Sequence, residues 1–199
     1  MILGIRRWPV LPTVIVLAAV AIMVGLGVWQ LGRLEQKEAL LARYEEAISD
    51  PAPLSAFPWY DPERNLFRRA PLHCDQVIGW NAIAGRNAND QTGYVHVATC
   101  IGDGRYSFDS PSGVEVVIGW SPGPDPVDWQ GGAVTGIIAP GGERGWRLVA
   151  DQPQAGLAPN ATPDPNSIPN NHLAYAGQWF FFALTALVIY VLALRRRTS

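Results

Sequence analysis

Two apolar stretches determine the architecture of this chain: VLPTVIVLAAVAIMVGLGV at residues 10–28 and LAYAGQWFFFALTALVIYVLAL at residues 173–194. Neither contains a charged residue, and the uncharged run around each exceeds the roughly 20 residues that a helix needs to cross a bilayer. We therefore predict transmembrane helices over residues 9–32 and 172–194. They form a hairpin that holds one extramembrane domain between them.

Each stretch has an alternative interpretation. The first resembles a cleaved signal peptide, but its apolar core is longer than the about 7–15 residues typical of such sequences, and no clear cleavage site follows it. The second resembles a buried core helix, but its 22 uncharged residues end in Arg195, Arg196 and Arg197. Both are better explained as membrane anchors.

The domain between the anchors is predicted in three parts. A helical extension over residues 33–49 keeps a helical apolar period until Asp50-Pro51. Residues 66–150 contain short β-branched and aromatic segments separated by turn residues, which predicts an antiparallel meander or small barrel. Residues 151–171 are proline-rich and are predicted to form an extended connector. The seven predicted strands are residues 67–74, 76–80, 94–100, 106–108, 114–120, 133–138 and 146–149.

The distribution of charge predicts the orientation. The two termini, residues 1–7 and 195–199, hold five Arg and no acidic residue, whereas residues 33–171 hold all 17 Asp/Glu and carry a net charge of −7. Basic flanks favour the cytoplasm, so we expect both termini there and the acidic domain outside. An acidic domain also repels phosphate, which argues against nucleic-acid binding. The predicted fold class is an α+β membrane protein, with a transmembrane hairpin around a periplasmic, antiparallel β-rich domain.

The two cysteines, Cys74 and Cys100, both lie in the domain predicted to face an oxidising compartment. An even pair in that setting favours a disulfide. A metal site formed with His73 and His96 is an alternative, although adjacent His73 and Cys74 point to opposite faces of a strand. Two free thiols are the remaining interpretation. The absence of a Cys-x-x-Cys motif argues against thiol exchange.

The sequence carries no enzyme signature. It contains no serine nucleophile elbow, no phosphate-binding loop and no His-Glu-x-x-His motif, and its carboxylates are scattered. We therefore predict that the protein is not an enzyme. A membrane-anchored periplasmic enzyme or sensor stays open as an alternative, and it requires a pocket with convergent polar groups in residues 66–150.

One histidine, His172, stands where the chain enters the second apolar stretch. Its spacing from Tyr175, Ala176, Trp179 and Ala183 places all five on one face of a helix. The structural interpretation of the aromatic residues is a belt at the membrane interface. The functional interpretation is a haem site, because a neutral imidazole is a usual axial ligand of haem iron and flat apolar walls suit the macrocycle.

The first helix brings small and aromatic residues to the same predicted depth. Gly27 and Gly177 both lie a few residues inside the outer boundary, and Trp29 lies nearby. Small residues at matching depth allow two helices to approach closely, or they leave room for a flat ligand. The sequence alone leaves both interpretations open.

Two segments resemble the signatures of a known family. Residues 27–34, GVWQLGRL, look like the G-x-W-Q-x-x-R-L signature that ends the first helix of the surfeit locus protein 1 (Shy) family. Residues 170–179, NNHLAYAGQW, look like the N-x-H-x-x-Y-A-x-x-W signature that opens the family's second helix. Shorter matches follow the family's order in the middle of the chain: FRR at 67–69, GY at 93–94, GWSP at 119–122 and VTG at 134–136.

The resemblance implies a bacterial assembly factor for haem–copper cytochrome c oxidase, in the inner membrane. The family's haem-linked histidine maps to His172, so we predict that His172 ligates or guides the iron of haem a during insertion into the catalytic subunit. Trp29, Tyr175 and Trp179 are predicted to form a flat wall around the macrocycle. The implied partners are oxidase subunits, haem a synthase and membrane lipid. A chaperone that holds oxidase subunits without haem is the alternative.

Overall fold

The computed structural model describes residues 9–102 and 113–198, with side chains as far as residue 196. The chain divides into two compact units. One comprises the residues up to Leu40 together with those from Ile168 onward, and it is a pair of helices. The other comprises Leu41–Ser167 and is built around a β-barrel. The strand predicted at 106–108 lies outside the described residues.

Two helices provide the apolar spans. Helix α1 is Val10–Ser49 and helix α2 is His172–Thr198. Both are long and apolar enough to cross a membrane, and few residues of their most apolar windows are buried by the protein itself. This outward apolar surface is what a lipid-covered helix requires. The two apolar helices that the sequence predicted are confirmed. Helix α1 stops just before Asp50-Pro51, because the residue preceding a proline is disfavoured in the helical conformation.

The more buried residues of each helix form a narrow seam. They recur at alternating intervals of three and four, the spacing with which two helices keep one face against each other over several turns. Apart from this seam the helices are largely exposed. The seam of α1 contains Thr13, Val16, Val20, Met23, Gly27, Gln30 and Leu34, and that of α2 contains His172, Ala176, Trp179, Ala183, Ala186 and Tyr190.

Three contacts fix the antiparallel register of this helix pair. The hydroxyl groups of Thr13 and Tyr190 hydrogen-bond near one end of the seam. Gly27 is buried, and a Cβ added there would lie 2.6 Å from a ring carbon of Phe180. Gln30 and His172 hydrogen-bond at the other end. Small residues at such a crossing let helix backbones approach closely.

The second unit contains a closed five-stranded barrel. Its strands are β1 Arg69–Arg86, β2 Thr92–Gly102, β3 Val114–Ser121, β4 Gly132–Pro140 and β5 Trp146–Ala150. They follow one another around the barrel in the order β1-β2-β3-β5-β4. Four neighbouring pairs are antiparallel and the β3–β5 pair is parallel. The sheet is therefore mixed, and the predicted antiparallel arrangement holds for four of its five strand pairs. Strand directions cannot alternate around a closed ring of five, so one pair must run parallel.

The main difference between the predicted and the observed strands lies in β1, which begins at Arg69 and continues to Arg86. The segments predicted at 67–74 and 76–80 are parts of a single 18-residue strand, β1. The register against β2 shifts between Cys74 and Gln76. An irregularity of this kind bends a long strand without ending it, which a barrel wall requires. The remaining predictions in the described residues correspond to β2, β3, β4 and β5.

The proline-rich connector packs against the barrel over much of its length. Ala158 and Trp120 exchange two backbone hydrogen bonds of 2.8 and 2.9 Å, and Gln154 donates its backbone N–H to Ile118. Ala161 donates to Arg86 in the same way. The connector therefore adds a short strand-like edge beside β3. Extended backbone without internal hydrogen bonds is stabilised when it can pair with an available strand edge.

Cys74 of β1 and Cys100 of β2 form a disulfide, with Cα atoms 5.3 Å apart. Both residues are buried in the barrel core. The histidines of the alternative metal site have other neighbours: His73 pairs with Asp75, and the His96 ring hydrogen-bonds to Ser121. Within the described residues no group of three or more His, Cys, Asp and Glu is arranged to hold a metal ion.

Candidate functional site

His172 is the first residue of α2, and its side chain is half-buried on the helix seam. Its Nδ1 atom lies 2.8 Å from Oε1 of Gln30 on α1. A carbonyl oxygen only accepts hydrogen bonds, so Nδ1 carries the proton in this arrangement. In the neutral imidazole, the other ring nitrogen, Nε2, then has a free lone pair. In the part of the chain that the structure describes, no hydrogen bond to Nε2 is present.

This tautomer has the chemistry of a metal ligand. Neutral histidine binds metals through one ring nitrogen while the other donates its N–H to a carbonyl or carboxylate, which orients the ring. In the His172–Gln30 pair, Nδ1–H donates to the Gln30 carbonyl and Nε2 is the nitrogen that can bind a metal. This residue pair would therefore suit a haem iron, which Nε2 of His172 would hold.

The aromatic residues expected near His172 divide into two groups. Trp179 is half-buried on the seam with His172, and its ring makes an edge contact with that of Phe182, with centroids 6.3 Å apart. Tyr175 is 51% exposed and Trp29 is 58% exposed. Trp29 precedes Gln30, and successive helix residues are rotated by about 100°, so it points away from the seam. His172 and Trp179 thus share the seam, whereas Tyr175 and Trp29 face outward.

The glycines near this level have different surroundings. Gly27 is covered by the ring of Phe180, whereas a Cβ at Gly177 or Gly25 would meet nothing within 4 Å. The small residue on the seam therefore serves close helix packing at this point. A flat ligand held by His172 is expected to lie on the outer surface of the helix pair, where Tyr175 is exposed, and not in the space beside Gly27.

Gln30 is the site residue that the sequence reasoning did not single out. It lies within the GVWQLGRL segment at residues 27–34. The signal that points to it is a polar amide on the seam of an otherwise apolar stretch, at the depth where His172 begins the second helix. Interhelical hydrogen bonds of this kind hold membrane helices together, because an amide without a partner is unfavourable in hydrocarbon.

The short motifs in the middle of the chain stabilise the barrel. A Cβ at Gly93 would lie 2.4 Å from the Trp120 ring, and one at Gly119 would lie 2.4 Å from Cβ of Leu157. Trp120 is buried over Gly93. The Ser121 hydroxyl accepts from His96 Nε2 at 2.8 Å and donates to a backbone carbonyl. These residues hold β2, β3 and the connector together.

The FRR segment joins the end of α1 to the barrel. The Phe67 ring is buried and lies 4.8 Å from that of Tyr44, near the end of α1. Arg68 forms an ion pair with Asp50 at 3.0 Å, and Arg69 forms one with Asp151 at 3.3 Å. Phe67 has a positive φ of 65°, a conformation that a bulky residue adopts only where packing stabilises it.

Most of the chain matches the model of a known protein family. A family model described as the SURF1 family matches residues 17–184. The matched range includes most of α1, the whole barrel, and α2 as far as Leu184, so it contains both Gln30 and His172. The comparison with curated proteins finds no match.

Proposed function

This chain belongs to the SURF1 family, which is known in oxidase assembly, and on that premise we propose that it assists the insertion or stabilisation of haem a in the catalytic subunit of cytochrome c oxidase. In this proposal His172 ligates or guides the haem at the outer end of the helix pair. The protein acts as an assembly factor and not as an enzyme.

The observation that carries the proposal is the His172–Gln30 hydrogen bond. It leaves Nε2 of a half-buried imidazole with a lone pair at the end of an apolar helix. Nε2 of His172 would hold haem a through its iron. Tyr175 and Trp179 offer flat apolar surface one and two turns further along α2, and exposed Trp29 offers the same on α1.

We further propose that the protein lies in a bacterial inner membrane with both termini cytoplasmic. Two observations support this orientation. All acidic residues lie in the domain between the helices, whereas the terminal segments carry only Arg. The Cys74–Cys100 disulfide also supports this orientation. Disulfides persist in oxidising compartments such as the periplasm and are rare in the cytoplasm.

The barrel is proposed to contact oxidase subunits, and the helix pair to meet haem a synthase within the membrane. The short motifs in the middle of the chain contribute to the packing of the barrel, so contact with a partner would involve its other, exposed residues. Lipid covers the exposed apolar side chains of both helices.

The proposal is tested in a strain that lacks this protein, complemented with wild type or with His172→Ala. We expect oxidase from the His172→Ala strain to contain less haem a per catalytic subunit than oxidase from the wild-type strain. His73→Ala is the matched control, because that histidine is exposed on the barrel and should not affect haem content. Equal haem content in all three strains would contradict the proposal.

A chaperone that holds oxidase subunits without haem is the second candidate. The packing of Phe180 against Gly27 favours it, because the helices enclose no slot for a flat ligand at that level. This candidate predicts that oxidase subunits co-purify with a colourless protein, and that His172→Ala supports normal oxidase assembly.

A further inference from the structure

We propose that Gln30 is a positioning residue for His172: its side-chain carbonyl holds the imidazole as the Nδ1–H tautomer, so that Nε2 presents its lone pair to a metal centre. This inference deepens the proposed function and rests on it for the identity of the metal, an iron in haem. It concerns a residue on the other helix, 142 positions away in sequence.

The geometry gives Gln30 this role. Nδ1 and Oε1 are 2.8 Å apart, which is a good hydrogen-bond length, and both side chains are half-buried on the seam between the helices. Seam residues are held by packing from two sides, so the acceptor has a fixed position. A fixed acceptor at Nδ1 determines both the rotation of the ring and the position of its proton.

The environment makes the hydrogen bond more important than it would be in water. The segment of α1 before Gln30 is uncharged and apolar, and an amide without a partner there is unfavourable. A histidine whose other N–H is held by an acceptor in this way is a better oriented and stronger metal ligand. Gln30 can therefore affect metal affinity without touching the metal.

A purely structural hydrogen bond between the helices is the competing explanation, and the protein contains a matched case. Thr13 and Tyr190 hydrogen-bond across the same seam near its opposite end, with no imidazole involved. If Gln30 serves only to hold the helices together, removing it should have the same effects as removing the Thr13 hydroxyl. Thr13→Val is therefore the control for Gln30→Leu.

The first measurement detects the tautomer without haem. Full-length protein labelled with ¹⁵N-histidine is examined by NMR in mild detergent, and the His172 signals are assigned by their loss in His172→Ala. We expect the Nδ1–H form in wild type and in Thr13→Val. In Gln30→Leu we expect the proton to shift toward Nε2.

The second measurement is a titration of the same proteins with haem a in detergent. Loss of an outer ligand that orients a metal-binding histidine typically lowers affinity about 10- to 100-fold. We expect a loss of that size in Gln30→Leu and little change in Thr13→Val. Gln30→Glu keeps an acceptor and should restore binding, with a lower reduction potential of the haem because a carboxylate makes the imidazole a stronger donor.

The two measurements separate this inference from the proposed function. If the tautomer and the haem affinity are the same in wild type and Gln30→Leu, the positioning role is wrong, and His172 remains the proposed ligand. If the tautomer shifts in Gln30→Leu but wild type takes up no haem, Gln30 does position the imidazole and the proposed function is wrong. If Gln30→Leu and Thr13→Val lower the haem affinity equally, the Gln30–His172 and Thr13–Tyr190 hydrogen bonds both have only a structural role, and the inference is wrong.

Discussion

At the scale of single residues, Gly27 controls how closely the two helices pack. The Phe180 ring occupies the space where a larger side chain at position 27 would extend. We expect Gly27→Leu to destabilise the helix pair by about 1–3 kcal/mol, because a side chain inserted into a filled site displaces its neighbours. The midpoint of thermal unfolding in mild detergent, followed by circular dichroism, should fall.

Gly25→Leu is the matched control for this substitution, since a Cβ at position 25 meets nothing within 4 Å. Gly25→Leu raises helix propensity as much as Gly27→Leu does, but it produces no clash with Phe180. Adding Phe180→Ala to Gly27→Leu should restore part of the loss by making room for the leucine. If Gly27→Leu and Gly25→Leu unfold at the same temperature, the close packing at Gly27 does not exist.

The candidate site could be predicted from the sequence only in part. His172 was a predictable candidate because a histidine at the start of an uncharged stretch is unusual. Its partner Gln30 did not, because that contact depends on the register of two helices that are far apart in sequence. The outward direction of Trp29 and Tyr175 also depends on where the partner helix lies. Helical period groups residues on a face, but it does not say which face meets the neighbouring helix.

At the scale of elements, the disulfide joins the first two strands of the barrel. It closes a loop between residues 26 apart in sequence. We expect Cys74→Ala with Cys100→Ala to lower the free energy of unfolding of the barrel by about 3 kcal/mol, because the unfolded chain regains the entropy of that loop. Urea unfolding of the full chain in detergent, followed by tryptophan fluorescence, measures the change.

Wild type treated with a reductant is the control for the cysteine variant, and the two should unfold at similar urea concentrations. The reductant should leave the stability of the double variant unchanged. Two titratable thiols in denatured, unreduced wild type would show that the cysteines are not bridged, and would contradict the prediction.

The elements themselves were predictable where local sequence determines them. Apolar length predicted the two helices, and turn residues between β-branched segments predicted a β domain. The parallel β3–β5 pair was not predictable in this way, because it follows from closing a ring of five strands. The contact between Leu157 of the connector and Gly119 of β3 was not predictable either, because it joins residues far apart in sequence. Prolines signalled an extended chain, but they gave no information about which strand it pairs with.

At the scale of the whole molecule, the proposed orientation places both termini on the cytoplasmic side. Alkaline phosphatase, which is active only outside the cytoplasm, is fused after Arg64 or after Ser199. We expect activity from the first fusion and none from the second, because the arginines that follow α2 favour the cytoplasm. A green fluorescent protein at the same two positions should give the opposite pattern. Phosphatase activity at Ser199 would contradict the proposed orientation.

The central claim is that this assembly factor holds haem a through His172. The most direct test is the absorption spectrum of full-length protein, purified in mild detergent from cells with a verified supply of haem a, beside His172→Ala. We expect a Soret band in wild type that is lost or greatly reduced in the variant, with equal protein yields. A colourless wild-type protein, or a Soret band unchanged by His172→Ala, would contradict it.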